Sequence, residues 1–361
     1  ALKTGTGEGV VDRIFITGVS PVTLDSFTSG FNISRNLTTS LELHQMMGFT
    51  GEEVAVLMQQ VGAAEADLPQ VMQDMKQWYN GYLFHHRAPE RLYNPDMVLY
   101  FALEYQKHKR YPDIILDTNI ATDYGKLHRM FRIGEKDEQH YGIVEELVQN
   151  QEISATLTTQ YSLERAFTRD DFISLLFYLG MITIKEAQVK RLVMQFPNYV
   201  IGELYHQYFA DILLRRSQLT RSGVRLDDAV EGMALRNEVR PFVQIIEQVL
   251  TTLSNRDSLH FDEKHIKAII ASLLHATGIY TIKSEYESDR KYVDLLLKER
   301  PPIAPNYTFA LELKYLKKSE SGQFEAVREA GLAQLKSYLQ HEELQQMRKL
   351  RAWLLVFVGT E

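Results

Sequence analysis

The chain has 361 residues, a formal net charge of -7 and no cysteine. The lack of thiols excludes disulfides and thiolate metal sites, and the negative charge excludes a basic coat around nucleic acid, so any such contact must be local. No apolar run approaches the roughly 18 residues of a membrane span, and no basic and apolar leader opens the chain. We therefore expect a cytoplasmic protein without a membrane partner.

The first hundred residues predict an α/β arrangement. Residues 5–9 read GTGEG, but no Gly-Lys-Ser or Gly-Lys-Thr follows, so this stretch is not a phosphate-binding P-loop. Residues 13–19 have the pattern of a short buried strand. Further on, Thr50 is placed to cap a helix, with Glu53 at the capping-box position. The pattern predicts a strand followed by helices.

Four sequence blocks in this region carry a resemblance. Between residues 15 and 101 they read, in order, FITGVSPVTLDSFTSGFN, GFTGEEV, WYNGYLF and LYNPDMVLYF. They resemble the later half of the AAA-ATPase-like domain that precedes a nuclease domain in some bacterial proteins. The P-loop and the Walker B acid of that domain lie upstream of these blocks. The resemblance therefore implies that the chain is the C-terminal portion of a longer protein, that ATP binds only to the longer form, and that this chain has no ATPase activity.

The aromatic residues of these blocks have a simpler interpretation. Aromatic side chains dominate core burial, so we expect packing rather than ligand contact for Trp78, Tyr79, Tyr82 and Tyr93.

The middle of the chain is mostly helical. A helix is predicted from Asp171 to Leu179, ending at Gly180, with a strand over residues 181–184, a second short strand and another helix after them. This order resembles a winged-helix unit. Because it lacks clustered Lys and Arg, we expect it to join domains rather than to bind DNA. Helices follow to residue 255, with an amphipathic face formed by Ile245, Ile246, Val249, Leu250 and Leu253.

The last hundred residues predict a compact α/β unit. Two apolar runs, residues 292–297 and 307–313, flank a Pro-rich connection and predict two strands. Helical apolar spacing covers residues 261–278 before them and 324–340 after them. A final apolar strand is predicted over residues 353–359. The order is helix, strand pair, helix, strand.

The strand pair brings polar groups together. Because side chains alternate along a strand, Glu312 and Lys314 share one face, and Asp294 lies on the neighbouring strand. Two adjacent carboxylates suit a hard divalent cation, Mg²⁺ or Mn²⁺, and a lysine beside them can orient or deprotonate an attacking water. The set favours metal-dependent phosphodiester hydrolysis of nucleic acid. The competing interpretation is a charge pair on a solvated sheet face, which is common.

From about residue 262 onward the sequence resembles the PD-(D/E)XK nuclease superfamily, whose restriction-endonuclease-like α/β core carries an Asp on one strand and Glu-x-Lys on the next. The resemblance implies that Asp294 and Glu312 hold the metal, with the backbone carbonyl of Leu313 as a further ligand, and that Lys314 is catalytic.

Three more residues match elements of the same superfamily. Glu263 corresponds to the carboxylate on the preceding helix. Gln334 and Tyr338 correspond to the Gln-xxx-Tyr element that some exonuclease branches carry on the following helix. The resemblance implies that these residues support the metal and water or position the end of the nucleic acid.

We therefore expect a multidomain α/β protein with an ATPase-like segment over residues 1–100, a helical and winged-helix-like region over 101–255, and a nuclease-like domain over 256–361. DNA is favoured over RNA as substrate, with regulation by the ATPase-like domain in a longer form. Two alternatives stay open. Residues 287–294 read ESDRKYVD, without the two glycines typical before the strand aspartate, which favours an inactive binding or regulatory module. The helical middle is also compatible with a structural interaction protein. The oligomeric state is left open.

Overall fold

The structure is a computed structural model that describes residues 15, 36–116, 137–159, 168–217, 219, 226–257, 262–288, 291–347 and 349–360. The GTGEG stretch lies outside these residues, as do residues 289 and 290 and, apart from residue 15, the strand predicted over 13–19. Contacts divide the chain into an N-terminal unit, Ala1–Leu147 with Gln151–Gly202, and a C-terminal unit, Val148–Asn150 with Glu203–Glu361. The domain boundaries predicted at residues 100 and 255 stay predictions.

The N-terminal unit combines helices with two small antiparallel sheets, and a 3₁₀ helix over Leu41–Met47 precedes them. Its helices are α1 (Gly51–Gln60), α2 (Leu68–Tyr79), α3 (Pro95–His108), α4 (Asp137–Asn150) and α5 (Arg169–Tyr178). Its strands are β1 (Asn80–Tyr82), β2 (Leu92–Tyr93), β3 (Glu152–Ala155), β4 (Thr183–Ala187) and β5 (Leu192–Gln195). β1 pairs with β2, and the second sheet has the order β3-β5-β4.

Helix α1 begins as its sequence predicts. The Thr50 side chain accepts a hydrogen bond from the Glu53 backbone N–H, and the Glu53 carboxylate accepts one from the Thr50 backbone N–H at 2.8 Å. This reciprocal capping box satisfies two backbone donors that a helix start would otherwise leave unpaired. The predicted capping box is confirmed.

The WYNGYLF block has a backbone that only glycine permits. Gly81 has a φ of +131°, and a Cβ there would lie 1.7 Å from the carbonyl oxygen of Pro197. Next to this contact, the Leu83 backbone N–H donates to the Thr183 hydroxyl at 2.7 Å, which ties the segment after β1 to β4. The aromatic residues Trp78, Tyr79, Tyr82 and Tyr93 are all buried, as predicted.

The helix and strand pair predicted near residue 180 are confirmed. Thr168 caps α5 in a second capping box with Asp171, and Gly180 follows the helix with a φ of +71°. β4 and β5 then pair antiparallel. The winged-helix resemblance and the joining role of this segment stay predictions.

The C-terminal unit is built on one mixed sheet. Its helices are α6 (Tyr199–Arg216, from Glu203 onward), α7 (Leu226–Arg236), α8 (Arg240–Asp257), α9 (Glu263–Thr277), α10 (Phe324–Tyr338) and α11 (Glu342–Gln345), with a 3₁₀ helix over Lys318–Gln323. Its strands are β6 (Tyr280–Ser288), β7 (Lys291–Glu299), β8 (Thr308–Leu316) and β9 (Leu350–Val358).

The sheet has the order β6-β7-β8-β9. β7 is antiparallel to both β6 and β8, whereas β9 is parallel to β8. The chain therefore crosses from β8 to β9 through α10. Both β7 and β8 are wholly buried at their centres, with Leu296 and Ala310 in one cluster with Leu335 of α10. Because side chains alternate, the equally buried Leu295 and Leu311 lie on the other face, and α9 contacts these strands.

The predicted helices and strands of this unit are confirmed, but β6 was not predicted. The amphipathic face of residues 245–253 is buried in α8, and α9 ends at Gly278 in the left-handed conformation, as expected for a C-cap. The helices that the structure describes include none long and apolar enough to cross a membrane.

Candidate active site

The candidate site lies where β7 and β8 stop pairing. Their ladder runs from Leu297↔Phe309 to Leu295↔Leu311, and the next residues in register are Asp294 and Glu312. There the Asp294 carboxylate accepts a hydrogen bond from the Leu313 backbone N–H at 2.9 Å. A side chain thus takes the place of a strand partner, which fixes one carboxylate oxygen of Asp294 and holds that carboxylate beside β8.

Glu312 and Lys314 alternate along β8 and share a face, as predicted. Glu312 is fully buried, and its Oε1 accepts a hydrogen bond from the Lys314 ammonium at 2.8 Å. The other oxygen, Oε2, is buried and has no hydrogen-bond partner in the described part of the chain. One half of this carboxylate is therefore paired and the other half is not.

Glu263 enters the site from the first turn of α9. Asp262 caps this helix by accepting from the His265 backbone N–H at 2.8 Å, and the helix start then places Glu263 Oε1 3.7 Å from the Lys314 ammonium. Lys314 is therefore shared between a buried carboxylate on its own strand and a half-exposed one on a neighbouring helix.

Gln334 and Tyr338 stand one turn apart on α10. The Gln334 side-chain amide donates to the Tyr338 hydroxyl oxygen, and the Tyr338 ring is buried in the cluster under this helix. The helix lies very close to β9, because a Cβ on Gly331 would come within 2.7 Å of a Leu354 methyl. Leu354 is the β9 residue in register with Glu312, so this close packing occurs beside the candidate site.

The electrostatics of these groups are coupled. Burial raises the pKa of Glu312 to about 7, and the charges of Asp294 and Glu263 add to this effect, whereas Lys314 opposes it. Burial also raises the pKa of Glu263, against the lowering effect of Lys314. For Lys314 burial favours the neutral form, but the hydrogen bond from its ammonium to Glu312 and the three nearby carboxylates outweigh this and raise its pKa.

Tyr338 belongs to the same electrostatic group. Burial raises the pKa of its hydroxyl, the hydrogen bond from Gln334 opposes that shift, and the charges of Glu312 and Asp294 raise it further. The structure therefore brings together all six side chains singled out in the sequence: Asp294, Glu312, Lys314, Glu263, Gln334 and Tyr338. Their chemical roles stay predictions.

The oxygen donors of this site fit a divalent cation. An unpaired buried carboxylate oxygen on Glu312, beside the Asp294 carboxylate, is an arrangement that a hard cation neutralises, and its oxygen donors are the type that Mg²⁺ and Mn²⁺ take. Across the described ranges no three His, Asp or Glu side chains form a ready-made metal cluster. A cation would therefore rest on two carboxylates, with backbone oxygen or water completing its shell.

The C-terminal sheet carries an Asp on one strand, Glu-x-Lys on the next and a carboxylate on the preceding helix, the set that the sequence resemblance predicts. Residues 261–361 match the family model described as PD-(D/E)XK nuclease superfamily, so the chain carries a domain of this superfamily at its C-terminal end. No curated protein and no solved structure matched the chain. The AAA-ATPase-like resemblance of the N-terminal blocks stays a prediction.

One residue that shapes the site was missed by the sequence reasoning. Gly331 lies inside α10, one turn before Gln334, and allows the helix to approach Leu354. The available signal was a glycine within a helical pattern, because such a residue lowers helix stability and needs no room for a Cβ.

Proposed function

We propose that the C-terminal domain hydrolyses phosphodiester bonds of nucleic acid, with DNA favoured over RNA, using a divalent cation, Mg²⁺ or Mn²⁺. The observation that carries the proposal is the fully buried Glu312, whose one oxygen is bonded to Lys314 and whose other oxygen has no partner among the described residues. A superfamily of nucleases matches this part of the chain, which supports the same class of reaction.

In the proposed site the cation is held by Asp294, Glu312 and the backbone carbonyl of Leu313. A bound divalent cation would neutralise the two carboxylates and polarise the phosphodiester and its attacking water. The Leu313 N–H that binds Asp294 keeps one of its oxygens occupied and so limits the rotation of this carboxylate.

Lys314 is the group we propose to act on water. Its ammonium lies 2.8 Å from Glu312 and 3.7 Å from Glu263, so it is positioned by both and still has a third N–H for a water or a phosphate oxygen. Its raised pKa keeps the ammonium charged at neutral pH, which favours orientation of water and stabilisation of charge on phosphate over proton abstraction from water.

Glu263, Gln334 and Tyr338 are proposed to line the substrate side of the site. Glu263 is half exposed at the start of α9 and can accept a hydrogen bond from an attacking water. The Gln334 amide braces the Tyr338 hydroxyl. This places a polar pair beside the carboxylates, where the end of a nucleic-acid strand would contact it. In a longer form of the protein, an ATPase-like domain that binds ATP is proposed to regulate cleavage.

The test is cleavage of labelled DNA and RNA, single- and double-stranded, with Mg²⁺, Mn²⁺ or EDTA. We expect metal-dependent cutting by the parent chain and its loss in Lys314→Ala. Lys264→Ala is the matched control, because Lys264 is exposed on the same end of α9 and its side chain makes no hydrogen bond or ion pair with the described residues. Manganese binding, measured by electron paramagnetic resonance, should persist in Lys314→Ala and disappear in Asp294→Asn. Equal cutting by the parent and by Lys314→Ala would refute the assigned role of Lys314.

One observation favours a second function. The bond between Lys314 and Glu312, with no ready-made carboxylate cluster in the described residues, is also what an inactive nuclease-fold module that only binds nucleic acid would contain. That alternative predicts no cleavage with any metal, no manganese binding and nucleic-acid binding that persists in EDTA. The cleavage and manganese measurements therefore separate the two functions.

A further inference from the structure

The N-terminal unit contains a cavity unrelated to the candidate active site. Its volume is about 510 Å³, within the range of about 300–1,000 Å³ that small-molecule sites occupy. It is formed where α1 begins, where α2 ends and where β1 and β2 pair. Its described lining consists of Gly51, Lys76, Asn80, Gly81, Glu90, Arg91 and Tyr93.

Arg91 is the first sign that this cavity takes an anion. Its guanidinium is half-buried and donates to two backbone carbonyls, those of Gly81 at 2.8 Å and Ile184 at 3.2 Å. No carboxylate pairs with it in the described chain, and burial alone lowers the pKa of the guanidinium. A half-buried charge with only neutral partners is unfavourable unless an anion approaches it, and Arg presents five N–H donors, of which these bonds use only part.

Lys76 supplies a second positive charge to the same cavity. It lies in the last turn of α2, is exposed, and has neither an ion pair nor a hydrogen bond in the described chain. Two basic side chains from different parts of the chain thus direct positive potential into one cavity.

The single carboxylate among the described lining residues is already engaged. Glu90 Oε1 accepts a hydrogen bond from the Gln45 side-chain amide at 2.9 Å, and no ammonium or guanidinium group of the described chain pairs with this carboxylate. It therefore leaves the charges of Lys76 and Arg91 available to a ligand. The remaining polar side chains of the lining, Asn80 and Tyr93, are hydrogen-bonded to each other and add no charge.

We propose that this cavity binds a phosphate-bearing small molecule, with the phosphate between Lys76 and Arg91. A guanidinium and an ammonium are groups that recognise phosphate oxygens, and the volume exceeds what a lone phosphate ion fills. The phosphate could also be carried by the end of a nucleic-acid strand, so both sources are tested. The site does not depend on the proposed nuclease activity.

The experiment is isothermal titration calorimetry of the full chain in EDTA at low salt. The probes are inorganic phosphate, pyrophosphate, ADP and a short 5′-phosphorylated oligonucleotide with its unphosphorylated counterpart. We expect ADP and pyrophosphate to bind, and Lys76→Ala to weaken them at least about tenfold, as the loss of one charge-assisted contact does. Lys107→Ala is the control, because this lysine is exposed on α3 and pairs with Glu104 outside the cavity. It should bind as the parent does.

Two further variants separate ligand binding from folding. Arg91→Gln should lose binding, but Arg91 also bonds to two carbonyls, so its circular dichroism and thermal unfolding are recorded alongside. Lys76→Glu reverses an exposed charge and leaves those bonds intact, so it should abolish binding in a fully folded protein. The proposal is overturned if no small probe binds, if only the oligonucleotides bind, or if Lys76→Glu and Lys107→Ala behave alike.

Discussion

Replacing the buried carboxylate of Glu312 should stabilise the metal-free protein and at the same time remove its response to metal. Burial raises the pKa of Glu312 from its usual 4.5 to about 7. A shift of about 2.5 units corresponds to roughly 3 kcal/mol against the ionised form in the folded state. Because the folded pKa is raised, the penalty is absent below about pH 4.5, grows from there to pH 7, and is complete above that.

Glu312→Gln keeps the shape of the side chain and removes its charge. At about pH 8 in EDTA we expect the variant to be more stable around β8 by about 1–3 kcal/mol, less than the full penalty because the charged bond from Lys314 becomes a neutral one. In the parent, a metal at one hundred times its dissociation constant should stabilise the folded state by about 2.7 kcal/mol. That increment should vanish in the variant.

The assay is amide hydrogen exchange of peptides that cover β8, because the chain has two units and a single unfolding temperature is poorly defined for it. Each 1.4 kcal/mol changes the exchange rate about tenfold. In EDTA the variant should exchange about tenfold to a hundredfold more slowly than the parent. Manganese should slow the parent and not the variant. Glu329→Gln, on the exposed side of α10, is the control and should match the parent in both conditions.

If Glu312→Gln exchanges faster than the parent in EDTA, burial of the ionised Glu312 carboxylate does not destabilise the folded protein as its raised pKa implies. If manganese protects parent and variant equally, Glu312 does not hold the metal.

Two further predictions follow from the C-terminal unit. Gly331→Ala places a Cβ 2.7 Å from a Leu354 methyl, so it should destabilise the unit by about 1–3 kcal/mol and reduce cleavage by moving α10. Gly322→Ala, which has open space around it, should change neither stability nor cleavage. Denaturant unfolding and the cleavage assay measure both effects, and equal behaviour of the two variants would contradict the packing argument. Burial lowers the pKa of His206 to about 4, so this residue stays neutral in the folded protein but takes up a proton below about pH 6.5 in the unfolded chain. The free energy of unfolding should therefore fall by about 2 kcal/mol between pH 7 and pH 5. Hydrogen exchange of α9 should show this loss in the parent and a smaller loss in His206→Gln, where the buried His275, whose pKa burial also lowers, still contributes. Equal losses in the two proteins would count against the role of His206.

Local patterns in the sequence were sufficient to predict most of the C-terminal unit. β7 and β8 are wholly buried central strands, so they appear as continuous apolar runs, and the glycine at Gly278 marks the end of α9. β6 was missed because it lies at the sheet edge, pairs only with β7 and carries charged residues such as Lys283, Glu285 and Glu287. Edge strands tolerate such residues, so neither hydrophobic period nor composition identifies them.

The site was predicted in its members but not in its contacts. Alternation along one strand predicts that Glu312 and Lys314 share a face, and the structure adds the hydrogen bond between them. The bond from the Leu313 N–H to Asp294 depends on two strands separating at one residue, and the approach of Glu263 to Lys314 depends on how α9 packs on the sheet. Both are tertiary facts that no local pattern encodes.

The energetics of Glu312 and Lys314 favour a functional origin for this pair over a structural one. An exposed charge pair contributes about 0–1 kcal/mol, and a buried pair is often replaceable by apolar residues with a gain in stability. Here the carboxylate is fully buried between apolar neighbours on β8, and Lys314 compensates only one of its oxygens. A sequence selected for stability alone would favour leucine at this position, as at Leu311 and Leu313. The buried charge therefore supports the divalent cation proposed for this site.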